Sequence, residues 1–406
     1  MDLSFVAEPL KQHEESNLID TDYPKTALLK SLAIYGANAS GKSNLIKGLE
    51  FFKEFVLTSA LQSQPIKKIN IEPYRLNTRS MDEPTWFELD FISFDTRYRY
   101  GFTATGKRVQ TEYLFQVLKT TEKQLFERRL DEIELSPSFS EGFGKESFIK
   151  PTSLFLSTLA QLNGTISSKI IEWFSNLTII TDHNYPSFVG YTAGLIREHQ
   201  SSEFILKVFK AVGLDFENVK IRTVNIDDNL MQFLSLDIRD MVKKNFPNQL
   251  QVYTTHRVFD LHGNQVDEVE FDLKEESAGT QKFFAIAGPI INSLLNGYPI
   301  VIDEMDARLH FRLVYFLVKL FNDARHNPFG GQLIFSNHMI DLMERDLLRR
   351  DQILLVSNGK TGTQITSIHK KGARSDTSFK RDYLNGEFGA LPGLEFNQMN
   401  LFDRYL

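Results

Sequence analysis

The sequence predicts an α/β fold built on a phosphate-binding P-loop, with an antiparallel β subdomain and an inserted α-helical lobe. Three observations carry this. Gly36-Ala37-Asn38-Ala39-Ser40-Gly41-Lys42-Ser43-Asn44 contains G-x-x-x-x-G-K-[ST] between an apolar strand and a helix-period run. Residues 86–117 alternate apolar and polar in three short runs, which argues an antiparallel sheet. Residues 265–370 alternate strand and helix patterns, which implies a mostly parallel sheet.

Residues 1–26 read as an edge strand and a loop. Ala27 to Tyr35 then ends as an apolar strand, and Leu45, Leu49, Phe52 and Val56 recur at helical spacing to about Ala60. Between them, Gly36 and Gly41 let the backbone turn tightly and approach a phosphate with no Cβ in the way. The loop amides and the helix N-terminus face the anion. Lys42 is expected to reach the β- and γ-phosphates, and the Ser43 hydroxyl to ligate Mg²⁺. A chance glycine-rich turn is the bland alternative, and the matching flanks weigh against it.

Pro65, Pro73 and Pro84 punctuate a loop over residues 61–85. Strands are predicted at Trp86–Phe91, Arg97–Phe102, Val109–Val117 and Leu125–Arg128. Helices are predicted at Leu154–Leu162, Ile166–Phe174 and Glu203–Val212, the last closed by Gly213. Val219–Val224 and Gln251–Phe259 read as strands around this helical segment. The α/β pattern returns with a strand at Val269–Leu273, a helix from Gln281 to Leu295 and a short buried strand at Pro299–Glu304. A helix at Phe311–Phe321 and strands at Gln332–Ser336 and Ile353–Val356 follow. The P-loop must meet this later segment for a site to form. Residues 1–151 and 251–371 are therefore expected to be two halves of one head. Residues 152–250 form the helical lobe between them, and 372–406 a tail.

Bulk composition narrows the classes. With no cysteine, disulfides, thiolate metal sites and a cysteine nucleophile are excluded, and a reducing cytoplasm fits. No run of about eighteen apolar residues suggests a membrane span, and Met1-Asp2-Leu3-Ser4-Phe5 does not open a signal peptide. A net charge of −6 argues against a globally basic nucleic-acid binder while leaving a local basic groove open. The 34 phenylalanines are assigned to core.

Ile300-Val301-Ile302-Asp303-Glu304 matches a Walker B strand, aliphatics ending in a carboxylate pair. Asp303, at the carboxyl end where α/β sheets place ligands, is expected to hold Mg²⁺. Glu304 is expected to polarise the attacking water as general base. Two solvated carboxylates opening a loop are the alternative for so short a pattern.

Ser277-Ala278-Gly279-Thr280 precedes the helix leading into that strand, and here the chain resembles the ABC-class ATPases. Ser277 and Gly279 match their Ser-x-Gly signature, a hydroxyl and helix N-terminus aimed at phosphate. In that class the signature acts on ATP held by the other subunit; a plain N-cap serine is the alternative. His338, in Ser336-Asn337-His338, resembles the switch histidine, and Asp306 the D-loop aspartate, followed by Leu309-His310. Gln161 stands where the Q-loop glutamine is expected, with Gln110 and Gln116 as rivals.

The asparagines flanking the loop, Asn38 and Asn44, resemble the RecF, SMC and OLD branch more than transporters. With Leu28–Asn44, Ile302–Asp306, Leu347–Ile353 and Tyr383–Pro392, the chain resembles a bacterial family of AAA, ABC-type ATPases over nearly its whole length. RloA-like proteins and ATPase components of phage-defence operons belong to that family. Met305 replaces the commoner Leu or Pro, and Asn337 the commoner Thr, without loss of a charged or phosphate-contacting group. The resemblance implies ATP and Mg²⁺ as cofactors, a homodimer or higher homo-oligomer closed on two ATPs, and a separate effector, a nuclease or toxin. A Toprim nuclease domain does not fit in the residues after 370. The basic stretch Lys370, Lys371, Arg374, Lys380, Arg381 leaves nucleic acid open as a partner, though such runs are usually solvated surface. The expected role is sensor or scaffold ATPase of an anti-phage complex; the alternative is a RecF- or SMC-like DNA-repair or DNA-structure ATPase.

Overall fold

A computed structural model describes residues 2–389, apart from 25, 62–67, 77, 79, 82, 120, 199–201, 215, 225–248, 345, 360–361 and 375–376. The outer part of the expected helical lobe, the loop around Pro65 and the tail beyond 389 therefore lie outside the described residues. The chain divides into two compact units, Met1–Ile179 with Met343–Leu406, and Ile180–Leu342. These boundaries differ from the expected 151/152, 250/251 and 371/372, because the predicted helical segment is shared between the two units.

In the first unit β1 (Leu18–Ile19) and β2 (Leu28–Leu29) make a small antiparallel pair. β3 (Ser31–Tyr35) follows, with every residue buried. Burial on both faces explains its unbroken apolar run. The P-loop leads into α1 (Lys42–Thr58). A five-stranded antiparallel meander comes next: β4 (Thr85–Ser93), β5 (Thr96–Ala104), β6 (Val109–Val117), β7 (Glu122–Arg129) and β8 (Glu132–Leu135). It is completed by α2 (Phe155–Gln161) and α3 (Thr165–Asn176). β9 (Thr178–Ile180) carries the chain towards the second unit.

The meander shows the period-2 rule directly. Tyr98, Tyr100, Phe102 and Ala104 of β5 are buried, while Arg97 and Arg99 between them pair outward with Asp90, Glu88 and Glu122. The inward face joins Phe52, Phe55 and Val56 of α1 and Phe174 of α3 in one aromatic core. Phe52 meets Phe102 edge-on at 5.2 Å, a favoured ring geometry. The helix that starts at the P-loop is thus anchored on this sheet.

One core-facing position of β6 is charged. Glu112, fully buried, accepts from the backbone amides of Phe155 and Leu156 at 2.7 and 3.0 Å, and from Tyr100 OH at 2.9 Å. Arg128 approaches it at 3.5 Å and donates to the Ser153 and Leu130 carbonyls at 2.7 Å each. The carboxylate therefore takes the orphan amides at the start of α2. Burial pushes its pKa up and that of Arg128 down.

The second unit contains α4 (Phe188–Arg197), α5 (Ser202–Ala211), β10 (Asn218–Val224), β11 (Gln249–Phe259) and β12 (Gln265–Asp272). The three strands form an antiparallel sheet. Then come α6 (Ala278–Asn296), β13 (Ile300–Ile302), α7 (Phe311–Asn322) and β14 (Leu333–Ser336). β13 and β14 pair in parallel, as the strand-helix-strand pattern requires. Pro289 inside α6 removes the amide that would reach Ala285 O. Thr192 of α4 fills the gap: its hydroxyl donates to Ala285 O at 3.0 Å and accepts from Gly288 N at 3.1 Å.

The chain re-enters the first unit through β15 (Ile353–Gly359), β16 (Gly362–Ser367) and α8 (Phe379–Leu384). β15 runs parallel to β3 and antiparallel to β16. The Arg349-Arg350-Asp351-Gln352 segment before it is a clasp. Arg349 donates to the carbonyls of Glu8, Leu10 and Gln12, and Gln352 binds Ser31 and Asn17. No helix among the described residues is long and apolar enough to cross a membrane.

Candidate functional site

The P-loop lies between β3 and α1, where the sequence places it. Gly36 has φ 155° and Gly41 φ 105°, both costly for a side chain. A Cβ on Gly36 would stand 2.3 Å from Val356 O, and one on Gly41 2.5 Å from Thr363 Oγ1. The loop is therefore backed by the β15–β16 hairpin. Asn358 adds a hydrogen bond from its Nδ2 to Ala39 O at 2.8 Å, and Ala39 itself is left-handed at φ 60°.

The loop is arranged for an anion. Lys42 Nζ donates to Gly36 O at 2.7 Å and Ala37 O at 3.0 Å, so its charge sits over the loop centre. Gly41 caps α1 without any side-chain hydrogen bond, and the first turn holds no acidic residue. Its positive end is thus not neutralised locally. The buried Ser40 Oγ has no hydrogen-bond partner among the described residues. Ser43 is half-buried, while Asn38 and Asn44 are exposed. These residues fit a nucleotide phosphate chain. Gln161 is exposed and ends α2 in the same unit.

The second unit collects the remaining predicted residues around the end of β13. Asp303 N donates to Ile180 O at 2.8 Å. The Ser336 hydroxyl donates to Asp303 Oδ1 at 2.5 Å and accepts from Glu304 N at 2.7 Å. One carboxylate oxygen of Asp303 is used this way, and among the described residues none hydrogen-bonds the other. An aspartate so held is a suitable magnesium ligand. Glu304 is exposed and left-handed at φ 46°. His338, also exposed, is fixed through its backbone, whose N–H donates to Asp306 Oδ2 at 2.9 Å. Asp306 Oδ1 is buried without a hydrogen-bond partner among the described residues. The segment at His338 and the turn after β13 are thereby tied together.

Ser277 is the N-cap of α6, accepting from Thr280 N at 3.1 Å. The helix starts at Ala278, earlier than the predicted Gln281, because the Ser277 side chain caps the first turn. Ser277 and Ala278 are exposed. Gly279 has a close-approach role: a Cβ there would lie 2.7 Å from Arg308 O.

Residues 31–344 match the family described as "AAA domain, putative AbiEii toxin, Type IV TA system". The chain belongs to this AAA family. The match begins at β3 and runs beyond β14, so it includes both the P-loop and the carboxylate turn. No curated protein sequence matches the chain. Among solved structures, an SMC head bound to the C-winged helix domain of ScpA matches with a TM-score of 0.38 and 15% identity. The match covers 85% of this chain and 93% of that one.

Sequence reading missed several residues that support the P-loop in the first unit and the carboxylate turn in the second. Asn358 and Thr363 back the P-loop, and Ser336 holds the carboxylate turn. Ser336 had a usable signal, since it ends a strand predicted to lie in the same parallel sheet. Asn358 had none, because its partner is 319 residues away.

Proposed function

We propose that this AAA domain binds and hydrolyses ATP, with Ser43 and Asp303 holding Mg²⁺ and Glu304 activating water. The observation that carries the reading is the preformed loop, with Lys42 on the Gly36 and Ala37 carbonyls beside a helix N-terminus whose cap, Gly41, makes no side-chain hydrogen bond. Lys42 and the loop amides bind and orient the phosphates. When bound, Mg²⁺ neutralises charge on the β- and γ-oxygens. Glu304, exposed on a turn fixed by Ser336, takes a proton from the attacking water. His338 and Asp306 line the γ-phosphate side, and Gln161 reports on it from α2.

Ser277 and Gly279 act on nucleotide held by a second copy, giving an ABC-type homodimer or higher oligomer closed on ATP. The exposed, capped start of α6 supports this. The resemblance to phage-defence ATPases and the toxin–antitoxin wording of the family description support work beside a separate effector. A DNA-structure ATPase is the second reading, favoured by the exposed Lys370, Lys371, Arg374 and Arg381. Phosphate release from ATP by the wild type, Lys42→Ala and Glu304→Gln tests the core proposal. A wild type that never turns over ATP with Mg²⁺ would sink it. Tight, salt-dependent duplex binding by the chain alone would move the role towards DNA.

A further inference from the structure

Helix α6 carries a lysine where its pattern calls for an apolar residue. Lys282, in Gln281-Lys282-Phe283-Phe284-Ala285-Ile286, is only 1% exposed. A buried ammonium is costly unless it is paired and hydrogen-bonded. Its Nζ donates to the backbone carbonyl of Glu304 at 2.8 Å and lies 6.0 Å from the centre of the Tyr185 ring. Asp182, Asp306, Glu304 and Arg308 are the charges around it, and burial keeps its pKa below the ordinary lysine range.

The other end of this contact is a strained residue. Glu304 has φ 46°, a left-handed conformation that a non-glycine residue holds only when its surroundings impose it. Its amide is held by Ser336 Oγ at 2.7 Å and Asp303 Oδ1 at 3.1 Å. Its carbonyl accepts from Lys282 Nζ at 2.8 Å and from the Ala307 amide within the turn at 3.0 Å, so Lys282 is its one hold from outside the turn among the described residues. The peptide groups on both sides of the Glu304 Cα are therefore fixed, one by the neighbouring strand and one by α6 together with the turn's own Ala307 amide.

We propose that Lys282 is a positioning residue that keeps Glu304 in the backbone conformation from which its carboxylate activates water. This rests on Glu304 being the general base. Lys282 lies on the helix that Ser277 caps, so one rigid element carries both the signature serine and the hold on the base. A shift of the first turns of α6 on engaging a ligand at Ser277 displaces the Glu304 carbonyl directly. The signature and the base are thus mechanically linked within one chain.

Two measurements on Lys282→Met and Lys282→Arg test this in the full chain. Without nucleotide, hydrogen exchange of the 303–307 amides is expected to speed up at least about tenfold in Lys282→Met. The 286–294 amides of α6 should keep their wild-type rates. With ATP and Mg²⁺, kcat is expected to fall at least about tenfold in Lys282→Met with KM unchanged, and to recover in part in Lys282→Arg. Unchanged exchange at 303–307, or a wild-type kcat in Lys282→Met, overturns the proposal. If Glu304→Gln turns over like wild type, the base reading fails instead, and the exchange result still decides whether Lys282 holds the turn. Should Lys282→Met not fold, Lys282→Gln gives the same two readouts.

Discussion

The ammonium of Lys42 lies 2.7 Å from the carbonyl oxygen of Gly36, inside the loop that it serves. The contact fixes the charge over the loop before any phosphate arrives, so little ordering remains for the moment of binding. Lys42→Ala removes both the charge and the internal brace. It is expected to weaken ATP binding at least about tenfold, roughly 1.4 kcal/mol, while leaving the second unit's stability unchanged. Calorimetric titration with ATP and Mg²⁺ measures this, and undiminished affinity would remove Lys42 from the phosphate site.

Glu304→Gln keeps the shape of the exposed side chain and removes its basicity. ATP should still bind, and turnover should fall by about a hundredfold or more. The bound state should accumulate as a dimer or larger species. Single-turnover hydrolysis with light scattering reads both, and normal turnover would rule out Glu304 as base.

Ser277→Arg places a bulky cation at the exposed start of α6. Binding of ATP by one head is expected to persist, while hydrolysis and nucleotide-dependent association are lost. Loss of binding as well would mean that Ser277 contributes to its own chain's pocket, or to none.

Thr192→Val keeps the side-chain volume and deletes the hydroxyl that serves Ala285 O and Gly288 N. Thr192 is fully buried, so Ala285 O loses its hydroxyl donor and Gly288 N its hydroxyl acceptor with no water to replace either. A loss of about 1–3 kcal/mol is expected, seen as a lower denaturant midpoint for the second unit. An unshifted midpoint would show that α6 satisfies these groups by other means.

Lys282 gives stability a pH dependence. Burial lowers its pKa from 10.5, so between the lowered value and 10.5 the unfolded chain still holds a proton that the folded chain has shed. Stability from this group therefore rises with pH across that window and is flat below it. The unfolding free energy of wild type minus that of Lys282→Met should show this slope. A difference that falls with rising pH would contradict burial of the ammonium.

Much of this chain is legible because its chemistry is local. The P-loop is one contiguous stretch, and β5 announces its buried face by strict alternation. The two-unit division was not legible, nor was α4, where Gly190, Gly194 and Thr192 disfavour a helix in isolation. Packing against α6 overrides that preference. The short β8, β9 and β16 were missed because three to six residues carry too little pattern to distinguish from a loop. Nothing in the local pattern marks Glu112 and Lys282 for burial, since groups that bind them lie 43 and 22 residues further on.

The bond between Thr192 and the interrupted turn of α6 also constrains how the family can diverge. With an imino acid at 289 the Thr192 hydroxyl supplies the donor that Ala285 O lacks, and an ordinary residue there would offer that carbonyl a backbone donor again and make the hydroxyl dispensable. Relatives should therefore change these two positions as a couple, drifting in step across lineages even where the surrounding helices have diverged.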